Sequence, residues 1–192
     1  MRTISAAHDA WPSIEASIDA ARRSREIRPD ISLDDVPAPV RLAAHGLAIA
    51  GEILGPDEGE LAHGRLVLLH EPGGQPEWRG NTRVVVFAKA TLEPDLAVDP
   101  LLLDVGWDWL LESLEARACA VQALSGTVSR TGSQAFGDLA GRPAEGAIEI
   151  RASWTIAPES SAASLLAWCD LLATTAGLPP LGDGVQALRS RP

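Results

Sequence analysis

The sequence predicts an α+β fold: a mainly antiparallel sheet of about four strands with helices packed on one face, in the order ααββαββα. Two observations carry the prediction. Along residues 148–156, Ile148, Ile150, Ala152, Trp154 and Ile156 alternate with Glu149, Arg151, Ser153 and Thr155. That period of two marks a strand with one buried and one wetter face, the pattern of an antiparallel sheet covered on a single side. In addition, segments with apolar residues at helical spacing, around Trp107 and around Trp168, each follow a pair of strand-like runs.

The elements follow in order. Pro12 suits the first position of a helix, and Trp11, Ile14, Ile18 and Ala21 form one apolar stripe. Asp19 faces Arg22 and Arg23 at helical spacing. Residues 26–37 are polar, carry Pro29 and Pro37, and read as a linker with a short strand at 31–33. A second helix is expected over 39–54. There Arg41, His45 and Glu52 share one narrow stripe, small or apolar residues fill the rest of the circumference, and Gly55-Pro56 would end the helix. Residues 65–70 and 82–90 read as paired strands joined by a long loop over 71–81, rich in Gly and Pro. The run Val84-Val85-Val86-Phe87 suggests a central strand covered on both faces.

After a connector rich in Pro and Asp, Trp107, Leu110, Leu111, Leu114 and Ala118 stripe a third helix opposite Asp108, Glu112 and Glu115. Residues 121–131, with many Ser, Thr and Gly, read as a more exposed strand. A Gly-rich loop over 132–146 leads to the alternating strand. The last helix starts near Ser160 or Ser161, both able N-caps. Leu165, Cys169, Leu172 and Ala176 form its core stripe with Trp168 beside them, and Gly177 is placed to end it in a left-handed turn ahead of Pro179 and Pro180. The expected organisation is one domain over 1–180, with a helical part at 11–54 and a ββαββα part at 64–180, followed by a flexible tail at 181–192.

Composition bounds the function. A chain of 192 residues with 46% hydrophobic residues can bury a core without a metal or disulfide staple. Its two cysteines, Cys119 and Cys169, are widely spaced and read as buried thiols. A net charge of −10 repels phosphate backbones at long range and disfavours generic nucleic-acid binding. The N-terminus lacks the apolar core of a signal peptide, and the most apolar run is interrupted by His45 and Glu52 and is too short to span a bilayer. A cytoplasmic protein without a membrane partner is the expectation.

Catalytic motifs are missing. His8, His45, His63 and His70 show no metal-ligating spacing. Lys89, the chain's one lysine, has no glycine loop before it, so no phosphate cradle is formed. No catalytic residue, metal ligand or cofactor is therefore assigned. The strands nevertheless carry Arg65, Arg83, Lys89, Arg130 and Arg151 against few acids, a local reversal of sign in an acidic chain. If Arg83, Arg130 and Arg151 share the wetter sheet face, they could bind a small anionic ligand; the plainer reading makes them cross-strand partners of Glu149 and of loop acids. An enzyme would need a polar site converging around Ser129, Arg130 and Glu149. Among six Trp, Trp78 in a loop and Trp109 off its helix's Leu stripe are the candidates for exposed partner contacts.

Several segments together resemble a known family: Gly64-Arg65-Leu66-Val67-Leu68-Leu69-His70-Glu71-Pro72, Val105-Gly106-Trp107-Asp108-Trp109-Leu110, Gly126-Thr127-Val128-Ser129-Arg130-Thr131, Glu149-Ile150-Arg151-Ala152-Ser153-Trp154 and Ala167-Trp168-Cys169. They are similar to the actinobacterial domain-of-unknown-function family three thousand, and the many Arg beside a single Lys fit a high-GC genome. The resemblance runs from about the first helix to Pro180 and implies no activity, cofactor or catalytic residue. The functional expectation is a non-catalytic module that binds a protein or peptide or forms a homodimer, with small-anion binding on an Arg-lined sheet face as the alternative.

Overall fold

The computed structural model describes residues 10–179. Six strands form one antiparallel sheet in the order β1-β2-β3-β4-β6-β5. They are β1 (Ile31–Val36), β2 (His45–Leu54), β3 (Glu60–Gln75), β4 (Gly80–Leu92), β5 (Gln122–Ser133) and β6 (Glu145–Ile156). The helices are α1 (Trp11–Arg22), the short α2 (Pro94–Ala97), α3 (Leu102–Ala116) and α4 (Ser161–Thr175). The α+β class, the antiparallel sheet and the single helical layer match the expectation. The strand number does not: the described residues form six strands where about four were expected, in the order αββββααββα, counting α2.

The extra strands come from the N-terminal third. Residues 39–54 are not a helix. Residues 45–54 form β2, paired with β1 on one side and β3 on the other. The run looked helical because it does not alternate. Ala48 and Ile49 are adjacent and both buried, since α4 covers one sheet face and the β1–β2 connection folds over part of the other. That connection, residues 37–44, is tied down where the Ala44 N–H donates to Glu71 at 3.0 Å and Gln75 donates to the Leu42 carbonyl at 2.8 Å. Leu69, directly across from Gly46, is buried beneath it. The short strand expected at 31–33 extends to Val36. The long loop expected over 71–81 is mostly strand, closed by a 3-10 turn at Pro76–Trp78 with Arg79 left-handed (φ 59°).

Helix α4 is the centre of the covered face. It is buried around nearly its whole circumference because it lies on β2, β3 and β4 while α1 and α3 flank it. Its Trp168 indole fits a notch where Gly51 and Gly64 stand opposite one another across β2 and β3. A methyl on Gly64 would strike the Phe87 carbonyl oxygen and approach Leu172 to 2.8 Å; one on Gly51 would approach Trp168 to 2.8 Å. With the notch open, the Trp168 N–H donates to the Phe87 carbonyl at 3.1 Å, so the buried indole keeps a partner. Trp107 of α3 packs over Gly126 of β5 in the same way, 2.8 Å from where a methyl would stand.

The helix ends follow local chemistry. Gly177 is left-handed (φ 71°), its N–H donates to the Thr174 carbonyl at 3.0 Å, and the Leu178 N–H donates to Ala173 at 2.9 Å, the Schellman arrangement expected of that glycine. Ser160 takes the N-cap position of α4 without a side-chain cap bond; the Ser161 hydroxyl donates instead to the Pro158 carbonyl at 2.6 Å. In α3, Trp107, Leu110 and Leu114 turn inward as expected, Leu111 is exposed, and Ala118 lies past the helix end. Arg22 ignores Asp19 and pairs with Asp35 of β1 at 2.6 Å, locking α1 to the sheet edge. The tail expected at 181–192 and His8 lie outside the described residues.

Gly64→Ala is expected to lower stability by about 1–3 kcal/mol, the range of overpacking substitutions in a filled core. Chemical denaturation followed by tryptophan fluorescence measures it; Gly73→Ala, where a methyl meets no neighbour within 4 Å, is the control expected to change stability little.

Candidate binding face

Among the described residues, the sheet's second face carries no helix. Strand register assigns the residues that share it. One row runs Asp34, Ala50, Arg65, Phe87, Arg151 and Thr127 across the six strands, and the next runs Val36, Ala48, Val67, Val85, Ser153 and Ser125. Arg65, Val67, Val85, Phe87, Thr127, Arg151 and Ser153 line a shallow hollow of about 750 Å³. Val85 is 39% exposed, so β4 is central in the sheet and yet open on one side. The expectation that β4 is covered on both faces is corrected. The alternation in β6 holds: Trp154 is fully buried, its N–H donating to Ser164 at 3.3 Å, and the Arg151 side chain is 65% exposed.

The arginines on this face differ in what they do. Arg83 is committed to the fold. One of its terminal nitrogens donates to the Ala123 carbonyl at 3.0 Å and to Thr155 at 3.1 Å, and the other donates to Ser153 at 2.6 Å. Ala123 sits at a β-bulge in β5 with φ 48°, so Arg83 holds an irregular strand start in place. Burial lowers the Arg83 pKa from its ordinary value. Arg151 lies in the open. Its guanidinium sits 5.5 Å above the Phe87 ring and pairs with Glu149 at 2.7 Å. Arg65 is exposed and donates to the Pro37 carbonyl at the margin of the hollow. Arg65 and Arg151 are separated by β4, two strand spacings of roughly 4.8 Å each, with Phe87 between them.

Arg130 is elsewhere. It pairs across from Ile148, whose side chain points into the core, so Arg130 belongs to the helix-bearing side, where it donates to the Asp99 carbonyl. The structure therefore does not bring Arg83, Arg130 and Arg151 together. It also parts Arg130 from Ser129 and Glu149, which are neighbours on the open face. The two aromatic candidates separate as well. Trp78 lies at the β3–β4 turn, where its carbonyl accepts from Thr155 at 2.5 Å, at the Arg83 end of the open face. Trp109 is on the helical side, half-buried in a cleft of about 320 Å³ with Arg28, Arg117 and Asp170. The cations of that cleft are already satisfied: Arg117 binds Asp170 through two bonds of 2.6 and 3.0 Å, which raise its pKa, and Arg28 binds Asp30 and the Pro179 carbonyl.

Sequence reasoning noted Arg65 among the strand cations and missed Val85 as exposed and Phe87 as half-buried on the open face. Register was the absent signal, because Arg65, Phe87 and Arg151 become one row only once β3, β4 and β6 are known to be adjacent. Among the described residues, no group of three or more His, Cys, Asp or Glu could hold a metal ion, and no helix is long and apolar enough to cross a membrane. Cys119 and Cys169 are free and buried. Burial pushes the Cys169 thiol up to about 12, with Asp170 adding to the rise, and burial also raises Cys119.

These features define an α+β protein with one helical layer and an uncovered, arginine-bearing sheet face. The chain belongs to the family described as protein of unknown function (DUF3000), whose model matches residues 12–186. No curated protein and no solved structure matches it.

Two outcomes follow from this geometry. Arg83→Ala should cost about 1–3 kcal/mol in a denaturation experiment, because it removes three bonds to part-buried polar partners, whereas Arg151→Ala should cost no more than about 1 kcal/mol, as for an exposed pair. Since both thiols stay protonated and covered at pH 8, a thiol-reactive dye should label the native protein slowly, and both cysteines should react at once in denaturant.

Proposed function

We propose that this protein is a binding module whose open sheet face docks an acidic, partly apolar segment of a partner protein. One observation carries the reading: in a chain of net charge −10, the uncovered face sets Arg65 and Arg151 on either side of Phe87, with Val67 and Val85 in the next row. Apolar surface left open in the middle of a sheet and flanked by cations is complementary to carboxylates flanking an apolar side chain. Cation–π contact with Phe87 holds the Arg151 head over the hollow, and Glu149 is a partner that an incoming carboxylate can replace.

The spacing favours a chain segment over a small anion. Arg65 and Arg151 stand roughly 9.6 Å apart at the backbone, two strand spacings, and their heads are held toward the Pro37 carbonyl and toward Glu149, so a peptide spans them without moving either. Arg83 has little left to offer, because its donors are spent on Ala123, Ser153 and Thr155. The small-anion reading therefore rests on fewer groups than its three arginines suggested.

Selection of binders from a random-peptide display library tests the proposal. The expected enrichment is Asp or Glu flanking Leu, Ile or Phe, with affinity that falls as salt rises. The selected peptides should lose roughly tenfold or more in affinity for Arg65→Glu/Arg151→Glu, as like charges oppose one another. Enrichment of basic peptides, or binding that ignores the double substitution, would overturn it.

A further inference from the structure

The two edges of the sheet are treated differently. At one edge, β1 is 6 residues long and carries Asp34 and Asp35. Arg22 of α1 lies against it, donating to the Leu33 carbonyl at 3.2 Å and to Asp35 at 2.6 Å. Short length, charge and an occupied carbonyl are the usual devices that stop an edge from pairing further. The other edge, β5, is 12 residues long, has no proline and no acid, and carries Arg130 as its single charge. Its bulge lies at the start, between Gln122 and Ser125, and pairing with β6 is unbroken from there to Ser133. Apart from the Ala123 carbonyl at the bulge, which accepts from Arg83, no backbone group of β5 bonds to anything beyond β6 among the described residues. A long, regular, nearly uncharged edge is a template for another strand.

We infer that β5 pairs antiparallel with β5 of a second copy about a two-fold axis at Ser129, joining two sheets into one. The residue pattern suits this occupant and this register. Ser125, Thr127, Ser129, Thr131 and Ser133 all fall on the open face, and Gly126, Val128, Arg130 and Gly132 on the helical face. With Ser129 on the axis, Thr127 meets Thr131 and Ser125 meets Ser133, so hydroxyl faces hydroxyl along the open face. On the other face Arg130 meets Val128, and Gly126 meets Gly132. Moving the axis to Arg130 would set two guanidinia directly opposite each other, which is unfavourable. Pairing β5 with β1 of another copy would propagate into an open fibre, against an edge already occupied by Arg22, whereas the two-fold arrangement closes. In the closed dimer both helical layers lie on one side, and the two open faces form one broad surface. Ser125 and Thr127 also border the hollow at Arg65 and Arg151, but the inference rests on the backbone edge of β5 and not on the proposed docking of an acidic segment.

A single strand pair buries less than a standard interface, so the dimer is expected to dissociate with a constant on the order of 10 µM. Sedimentation equilibrium over a concentration series measures it. Thr127→Glu/Thr131→Glu sets like charges opposite at two symmetric positions and should weaken association by roughly tenfold or more, whereas Thr127→Lys/Thr131→Glu sets opposite charges there and should restore it. Ser129→Cys should cross-link to a covalent dimer on oxidation, because facing residues of an antiparallel pair lie roughly 4.5–5.5 Å apart, within disulfide reach. Ser125→Cys, facing Ser133, should not. A wild type that remains monomeric up to roughly 0.5 mM, far above the expected range, overturns the inference; that is also the result expected if the edge receives a strand from a different protein. A dimer that both charge variants leave unchanged overturns it too.

Discussion

The seating of Trp168 in the notch formed by Gly51 and Gly64 is the constraint on which the rest of the structure depends. An indole is too large to lie flat on a sheet lined with branched side chains. Two facing glycines lower the surface at one point, and the Phe87 carbonyl receives the N–H that would otherwise be stranded in the core. That fixes α4 over the middle strands. With α4 in place, α1 and α3 have one groove each to occupy, and the helical layer is complete. Trp107 over Gly126 repeats the device at smaller scale, near the β5 edge.

Covering one face so completely leaves the other to be finished by loops and side chains, and it is finished unevenly. At one corner the β1–β2 connection folds back over Leu69 and Ala48. On the neighbouring strands at the same end the Trp78 turn is tied down through Thr155, and Arg83 threads its guanidinium among Thr155, Ser153 and the bulged Ala123. Beyond these two closures along the strands lie Val67 and Val85, then Arg65, Phe87 and Arg151. The uncovered part is thus bounded by structure at that end. Its charge runs against that of the whole chain, and electrostatic complementarity acts on such local contrasts more than on net charge.

Much of this was legible in the sequence where the physics is local. The period of two in β6 placed Trp154 inside and Arg151 outside, and Gly177 fell where a left-handed helix end needs it. Residues 39–54 misled for an equally physical reason. Helical and strand periodicity are distinguishable only when one side is wet, and Ala48 and Ile49 are covered from both sides by partners distant in the chain. The arginine constellation misled through parity. Arg83 and Arg151 share a face, while Arg130, on the same kind of strand, points the other way because β5 meets β6 with Arg130 opposite Ile148.

The sequence by itself determined the α+β class, the inward and outward sides of β6 and the left-handed end of α4 at Gly177, because each depends on residues within a turn or two of one another. Tertiary structure decided the count of six strands, the row that joins Arg65, Phe87 and Arg151, and the unequal protection of the two sheet edges. Those features depend on which strands become neighbours and in what register. That choice is made by long-range burial, with α4 pressing its indole into two glycines separated in the chain and brought face to face only by folding.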